Sequence, residues 1–382
     1  MTPTEDWLGR LIAFPTVSAE TNLPLMAEVE HALTTIGAAC WRFPDATGQK
    51  TALLARLGPD GSGGLMLSGH VDVVPVEGQN WTVPAFEMTR QGSKLFGRGT
   101  ADMKGFIAAM LALAKRTPKL DRPLWLALSY DEEVGCIGVR PMLAVMKSHN
   151  IRPDLVIVGE PTSMQLGLGH KGKSTFTVSA IGTARHSAEA PMALNALHLA
   201  ADFMSYLRKF QTEIAAHGAQ EDGYSVPYAT VHVGKFTGGT VVNLVPDTAE
   251  LLMELRFLAS DNVGEMKAHL HNIAAQILAS YLAEFPDAKL VLTQTGSYPG
   301  LATPVSKCVA AFAACLPAGT ETCKLSFGTE AGLFAESLGV PVIVCGPGNM
   351  AQGHRPDEYI EADQLALCDK VLDAAIQQFC VS

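Results

Sequence analysis

The sequence predicts an α/β protein. Its catalytic domain has a largely parallel mixed sheet flanked by helices, and a smaller inserted ferredoxin-like (β-α-β-β-α-β) domain interrupts it. Three observations lead there. Short apolar runs alternate with helix-patterned segments over residues 1–170 and again from about 296, the layering of a parallel sheet covered by helices. Between them the order becomes strand, helix, strand, strand, helix, strand, which is the split βαβ unit. At 382 residues the chain is also too long for one ordinary core. The expected boundaries are 1–171 and 295–382 for the catalytic domain and 172–294 for the insert.

Residues 4–13 and 25–36 carry helical patterns, and residues 65–68 form a short apolar strand. Residues 103–116 are rich in Ala, Leu and Met and read as a helix opened by Asp102, because a carboxylate is favoured at the positive end of a helix. Strands follow at 124–130 and 155–158. After Gly169-His170-Lys171-Gly172 the insert reads as a strand at 174–181, a helix at 193–210, and strands at 229–236 and 249–257. A helix at 263–281 and a strand at 289–293 complete it, and a last catalytic strand falls at 340–345.

Composition excludes several classes. The chain is 48% apolar and 17% charged, as a globular enzyme is. A formal charge of −10 without any Lys/Arg run argues against nucleic-acid binding. Eight cysteines at irregular spacing, with no C-x-x-C, imply neither a zinc knuckle nor a disulfide framework. The acidic N-terminus lacks the order of a signal peptide. The longest apolar run, residues 106–114, is far short of the roughly 20 residues a membrane span needs. These features predict a soluble cytoplasmic protein with no membrane partner.

The chemistry concentrates where strands end. His70 and Asp72 follow the strand at 65–68, Asp131-Glu132-Glu133 follows 124–130, Glu160 follows 155–158, and His354 follows 340–345 through a glycine loop. Asp102 lies in Gly97-Arg98-Gly99-Thr100-Ala101-Asp102-Met103-Lys104-Gly105. Each has a plain structural reading: a histidine beside an acid, a helix cap, an acidic turn, a turn before Pro161, a surface-loop histidine. Together they sit where ligands bind in open α/β sheets, beyond the carboxyl ends of strands. Two imidazoles and three carboxylates suit a hydrolytic pair of metal ions. Two apart in an extended segment, His70 and Asp72 point the same way. One nitrogen of His70 can then face a metal while Asp72 holds the other. Of Glu132 and Glu133, one can face the metals and one the attacking water. Gly346-x-Gly348-x-x-Ala351 superficially fits a dinucleotide fingerprint, but residues 352–356 have no helical periodicity, so a nicotinamide site is rejected.

Five blocks carry a resemblance: Ser68-Gly69-His70-Val71-Asp72-Val73-Val74-Pro75, the Gly97 to Gly105 segment, Asp131-Glu132-Glu133-Val134-Gly135, Gly159-Glu160-Pro161-Thr162, and the Gly346 to His354 loop. In order from about residue 7 to the end, they resemble the dinuclear zinc aminoacylase/metallopeptidase family. The resemblance implies two Zn²⁺ per subunit, with Co²⁺ as a possible substitute. Asp102 would bridge them, His70 and Glu160 would complete one site, and Glu133 and His354 the other. Asp72 would orient His70 and Glu132 would be the general base. Three ionised carboxylates leave two such cations about one net positive charge, enough to draw the pKa of a shared water towards ~7.

His186, in Gly182-Thr183-Ala184-Arg185-His186-Ser187, resembles the lid histidine that relatives supply from the partner subunit as an oxyanion donor, which implies a homodimer. Arg185 and Ala188 flank the pair where relatives often have Ala and a second Ser. Asn243 resembles a lid asparagine that reaches the substrate, an N-acyl amino acid. Arg256 is expected to fork onto a substrate carboxylate, with a strand ion pair as its plain alternative. Gly328 and Thr329 are expected to offer backbone and hydroxyl contacts, and Glu330 to meet a substrate ammonium. The Phe327-Gly328-Thr329-Glu330-Ala331-Gly332 segment resembles the deacetylase branch of that family rather than its desuccinylase branch. Another N-acyl amino-acid deacylase, or a non-catalytic metal- or amino-acid-binding scaffold, remains as an alternative.

Overall fold

The computed structural model describes residues 1–381. The chain divides into two compact units. One comprises residues up to Gly169, Leu301–Leu325 and the chain from Thr329 onward; the other comprises His170–Gly300 with Ser326–Gly328.

The first unit holds a nine-stranded mixed sheet. At its centre Leu124–Ser129, Leu65–His70, Leu155–Pro161 and Val342–Gly346 run parallel as neighbours. Antiparallel strands Thr51–Leu57 and Ala39–Pro44 extend one side, and the other side turns antiparallel at Leu166–His170. The four central strands are buried throughout, as strands covered on both faces are. Helix Lys104–Arg116 is buried along nearly its whole length. It packs so closely that a Cβ on Gly159 would lie 1.9 Å from the Phe106 ring. Only glycine fits there, one residue before Glu160. Because the central strands are parallel, their carboxyl ends share one edge of the sheet, and the five expected metal ligands belong to that edge or its loops.

The second unit is a four-stranded antiparallel sheet in the order Thr230–Gly238, Thr248–Phe257, Gly172–Ile181, Lys289–Tyr298. Helices Ala196–His217 and Val263–Ala279 complete the β-α-β-β-α-β order. Alternating burial along Gly172–Ile181 and Thr248–Phe257 turns Phe176, Val178, Leu251 and Leu255 into the core. The last strand runs five residues past the expected 289–293, because its pairing with Gly172–Ile181 continues through an irregularity at Gln294 and Gly296.

Among the described residues no helix is long and apolar enough to cross a membrane. The Gly346–Ala351 segment passes into turns, and the next helix begins only at Ala362, so the dinucleotide reading has no structural support.

Candidate metal centre

Four chain segments meet around Asp102. The helix expected to open at Asp102 begins at Lys104, with Met103 as its cap. This leaves the Asp102 carboxylate outside the helix and facing the strand ends. Its two oxygens point to different imidazoles: Oδ1 lies 3.2 Å from His70 Nε2 and Oδ2 lies 3.0 Å from His354 Nε2. Glu160 Oε1 is 3.7 Å from His70 Nε2, and Glu133 Oε1 is 3.1 Å from His354 Nε2. The cluster therefore has two halves, His70 with Glu160 and His354 with Glu133, and one shared carboxylate. Ligand atoms of His70, Asp102 and Glu133, and of His70, Glu132 and Glu160, each lie within 4.8 Å of one another.

Each half is positioned by different means. His70 is the last residue of its strand and almost fully buried. Its Nδ1 lies 2.9 Å from the Asp72 backbone carbonyl and 3.4 Å from the Asp72 carboxylate, so the carbonyl is the nearer partner that sets the ring. His354 lies on a turn with φ +60, a left-handed conformation that histidine tolerates better than most residues, and its side chain is 48% exposed.

Asp72 does more than orient His70. Its Oδ2 accepts from Ser18 Oγ at 2.7 Å and from the Glu133 backbone N–H at 3.3 Å, and its Oδ1 accepts from the Glu132 N–H at 3.1 Å. One carboxylate thus holds the turn that presents both glutamates. Asp131 enters that turn at φ +54 and is tied down by Lys50 at 2.7 Å. Cys136 Sγ donates to Glu132 Oε1 at 3.3 Å.

The charges within this cluster act strongly on one another. Burial and the neighbouring Asp102, Glu132 and Glu133 carboxylates push Glu160 well above the usual carboxyl range, although His70 pulls the other way. Burial and the Glu133, Glu330 and Asp102 charges do the same to Glu132 against the same pull. Glu133 is raised by burial and by Asp102. Hydrogen bonds to Asp102 and Glu133 lift His354 to about 10. His70 is also raised, its burial outweighed by Asp102 and Asp72. Asp102 alone among the ligands is lowered, because contacts with both imidazoles outweigh its burial. Carboxyls and imidazoles that rise together are short of positive charge, and two divalent cations held by this donor set would supply it.

The remaining expected residues fall differently. Glu330 is 1% exposed and accepts from Ser129 Oγ at 2.9 Å. Burial raises it to about 7. It lies behind the strand end that carries Glu132, at a buried position. Thr329 is fully buried, and its hydroxyl accepts from the Ala331 N–H at 3.0 Å, which commits it to opening the next helix. Gly328 belongs to the second unit, where a Cβ would lie 2.1 Å from the Tyr298 ring. Arg256 forms a two-point pair with Glu254 at 2.8 and 3.3 Å, the plain strand reading; a guanidinium so engaged is not a free fork. His186 and Asn243 are brought together. Arg185–His186 pairs with Leu244–Val245, and the Ser187 N–H donates to the Asn243 carbonyl at 3.0 Å. Sequence reasoning missed Ser18, Ser129, Cys136 and the Arg98–Glu358 pair. Only the last had a signal, since Arg98 lies in one block that carries the family resemblance and Glu358 follows another by four residues.

The family model for peptidase family M20/M25/M40 matches residues 66–378. The acetylornithine deacetylase of Proteus mirabilis (strain HI4320) is 32% identical over 383 residues, spanning 98% of this chain and 96% of that protein. Among solved structures, an M20 family metallo-carboxypeptidase from Sulfolobus solfataricus superposes with a TM-score of 0.78 at 18% identity, covering 99% of each chain. A dinuclear metal-binding peptidase of the same family from Bacillus subtilis superposes with a TM-score of 0.67 at 15% identity, covering 98% of this chain and 97% of that one. Matched over most of its length, and with a ligand cluster suited to divalent cations, this chain belongs to peptidase family M20/M25/M40 and is a metal-dependent hydrolase of amide bonds.

Proposed function

We propose that the enzyme removes the acetyl group from the α-nitrogen of N-acetylornithine, releasing ornithine and acetate in the cytoplasm as a step of arginine biosynthesis. The likeness to acetylornithine deacetylases across nearly the whole chain supports the substrate. The observation that carries the chemistry is Asp102, whose two oxygens face one imidazole each. In this reading His70 and Glu160 hold one Zn²⁺, His354 and Glu133 hold the other, and Asp102 is shared; Co²⁺ can substitute. When bound, the cations supply Lewis acidity, polarising the amide carbonyl and making a water acidic near neutral pH.

The chain's own groups do the rest. Glu132 is the general base, held by the grip of Asp72 on its backbone and by the Cys136 thiol. It takes the proton of the attacking water and returns it to the nitrogen as the acyl–nitrogen bond breaks. His186 is the oxyanion donor. Its Nδ1 accepts from the Ala188 N–H at 3.1 Å, so the neutral ring carries its proton on Nε2. The second unit would pair with a second copy to form a homodimer, each lid serving its partner, with Asn243 beside His186 as a substrate contact.

The test is amine release from N-acetylornithine by chelator-stripped protein, before and after two equivalents of Zn²⁺ or Co²⁺. N-succinyl-diaminopimelate, acetylcitrulline and acetylmethionine are run in parallel. Metal-restored turnover selective for acetylornithine is expected. Preference for another substrate would keep the centre and change the acyl amino acid. Silence on all four with metal bound would favour a non-catalytic scaffold.

A further inference from the structure

Behind the His354 half of the centre lies a chain of polar contacts, buried at Arg98 and Glu358, that the catalytic reading does not use. Glu358 is 1% exposed, and its Oε1 accepts from the Ala101 and Asp102 backbone N–H groups at 2.9 and 3.1 Å. Its Oε2 accepts from Arg98 Nη1 at 2.6 Å, and Arg98 is equally buried. The other arm of that guanidinium, Nη2, donates to Gln79 Oε1 at 2.6 Å. Trp81 Nε1 donates to the same oxygen at 3.0 Å, and the Trp81 ring lies 5.0 Å from the Arg98 guanidinium. Gln79 then turns back to the centre, its Nε2 donating to the His354 carbonyl at 3.3 Å.

The contacts close a ring. Asp102 and His354 meet through their side chains at 3.0 Å. Their backbones are joined a second time, through Glu358, Arg98 and Gln79. No strand holds His354, whose loop consists of turns. The His70 half is built otherwise: His70 ends one central strand and Glu160 lies within its neighbour. Strand pairing sets that spacing without help from Arg98.

We infer that Glu358, Arg98 and Gln79 form a positioning relay for one half of the centre, setting the separation of Asp102 and His354 and so the affinity for the cation held there. The inference rests on the two-cation reading above. Partners behind metal ligands are worth about 10–100-fold in metal affinity when removed. Here the loss falls on one equivalent of metal and spares the other.

Calorimetric titration of the stripped full-length protein with Co²⁺ tests this, with visible absorption following each equivalent and far-UV circular dichroism following the fold. Gln79→Leu is the first variant, because Gln79 is only partly buried and its loss leaves the Arg98–Glu358 pair intact. Glu358→Gln is the second, removing the charge but keeping an acceptor oxygen. Wild type is expected to bind two equivalents. Gln79→Leu is expected to bind one within threefold of wild type and the other about 10–100-fold more weakly. Loosening of the whole fold would weaken both. Equal losses at both equivalents, or none at either, would overturn the relay while leaving the two-cation reading intact. A wild type that takes up fewer than two equivalents would overturn the two-cation reading itself, and the relay with it.

Discussion

The strand-end cluster of the first unit and the His186–Asn243 ribbon of the second build functional groups in opposite ways. In the first, His70, Asp102 and Glu160 are each less than 5% exposed and held by parallel strands or by what packs on them. In the second, His186 is exposed and sits on a ribbon of two residues per strand. Near it, Val242 is 98% exposed and Met192 62%. All five candidate ligands lie within one unit. On the ribbon, His186 and Asn243, the proposed donor and substrate contact, are both exposed. The buried ligand candidates are thus built onto the parallel sheet, and the proposed donor is placed on a short exposed ribbon.

That contrast can be broken by mutation. The largest effect is expected from Glu132→Ala: a fall in kcat of about 10²–10⁴-fold, with two equivalents of metal still bound by titration. Wild-type kcat would remove Glu132 from the base role. His186→Ala should lower kcat by about 10²–10³-fold, the cost of an oxyanion donor. Metal stoichiometry and affinity should stay unchanged; a fall in either would mean that the ribbon helps to build the centre. Asp72→Asn keeps the shape of the side chain but weakens its hold on Ser18, Glu132 and Glu133. Metal affinity should drop about 10–100-fold, and chelator competition reads it. The smallest effect belongs to Arg256→Met. If Arg256 only pairs with Glu254, stability should change by about 1 kcal/mol or less in denaturant melts, with KM within threefold of wild type. A tenfold rise in KM would return Arg256 to the substrate.

The comparison also explains what the sequence disclosed. His70, the Asp131-Glu132-Glu133 run and Glu160 were legible because a short apolar strand ending in a polar donor is a local pattern, and parallel neighbours bring such ends to one edge. The order of the second unit was legible for the same reason, since alternation with period two is written in adjacent residues. Asp102 was found but read as the helix cap, because helical composition does not reveal that the helix starts one residue later, with Met103 as its cap. The double grip of Asp72 was invisible, since it depends on a turn entered at φ +54 by Asp131. The Arg98–Glu358 pair joins residues 260 positions apart, and no periodicity encodes such a meeting. Burial likewise decided Glu330: a carboxyl after Gly328-Thr329 reads the same whether it faces solvent or Ser129.

The hydrogen bond from Ser18 to Asp72 has a consequence for where this enzyme can be cut. The family match begins at residue 66, and a minimal catalytic fragment drawn from it would discard everything earlier. Yet Ser18 Oγ holds the carboxylate that holds both glutamates. Residues 16–18 lie alongside 71–73, with the Val73 N–H on the Thr16 carbonyl at 3.0 Å and the Ser18 N–H on the Val73 carbonyl at 3.2 Å. A fragment trimmed to the matched span would keep all five candidate ligands and lose the clasp on the turn that carries Glu132 and Glu133. The excisable unit of this hydrolase is larger than its signature.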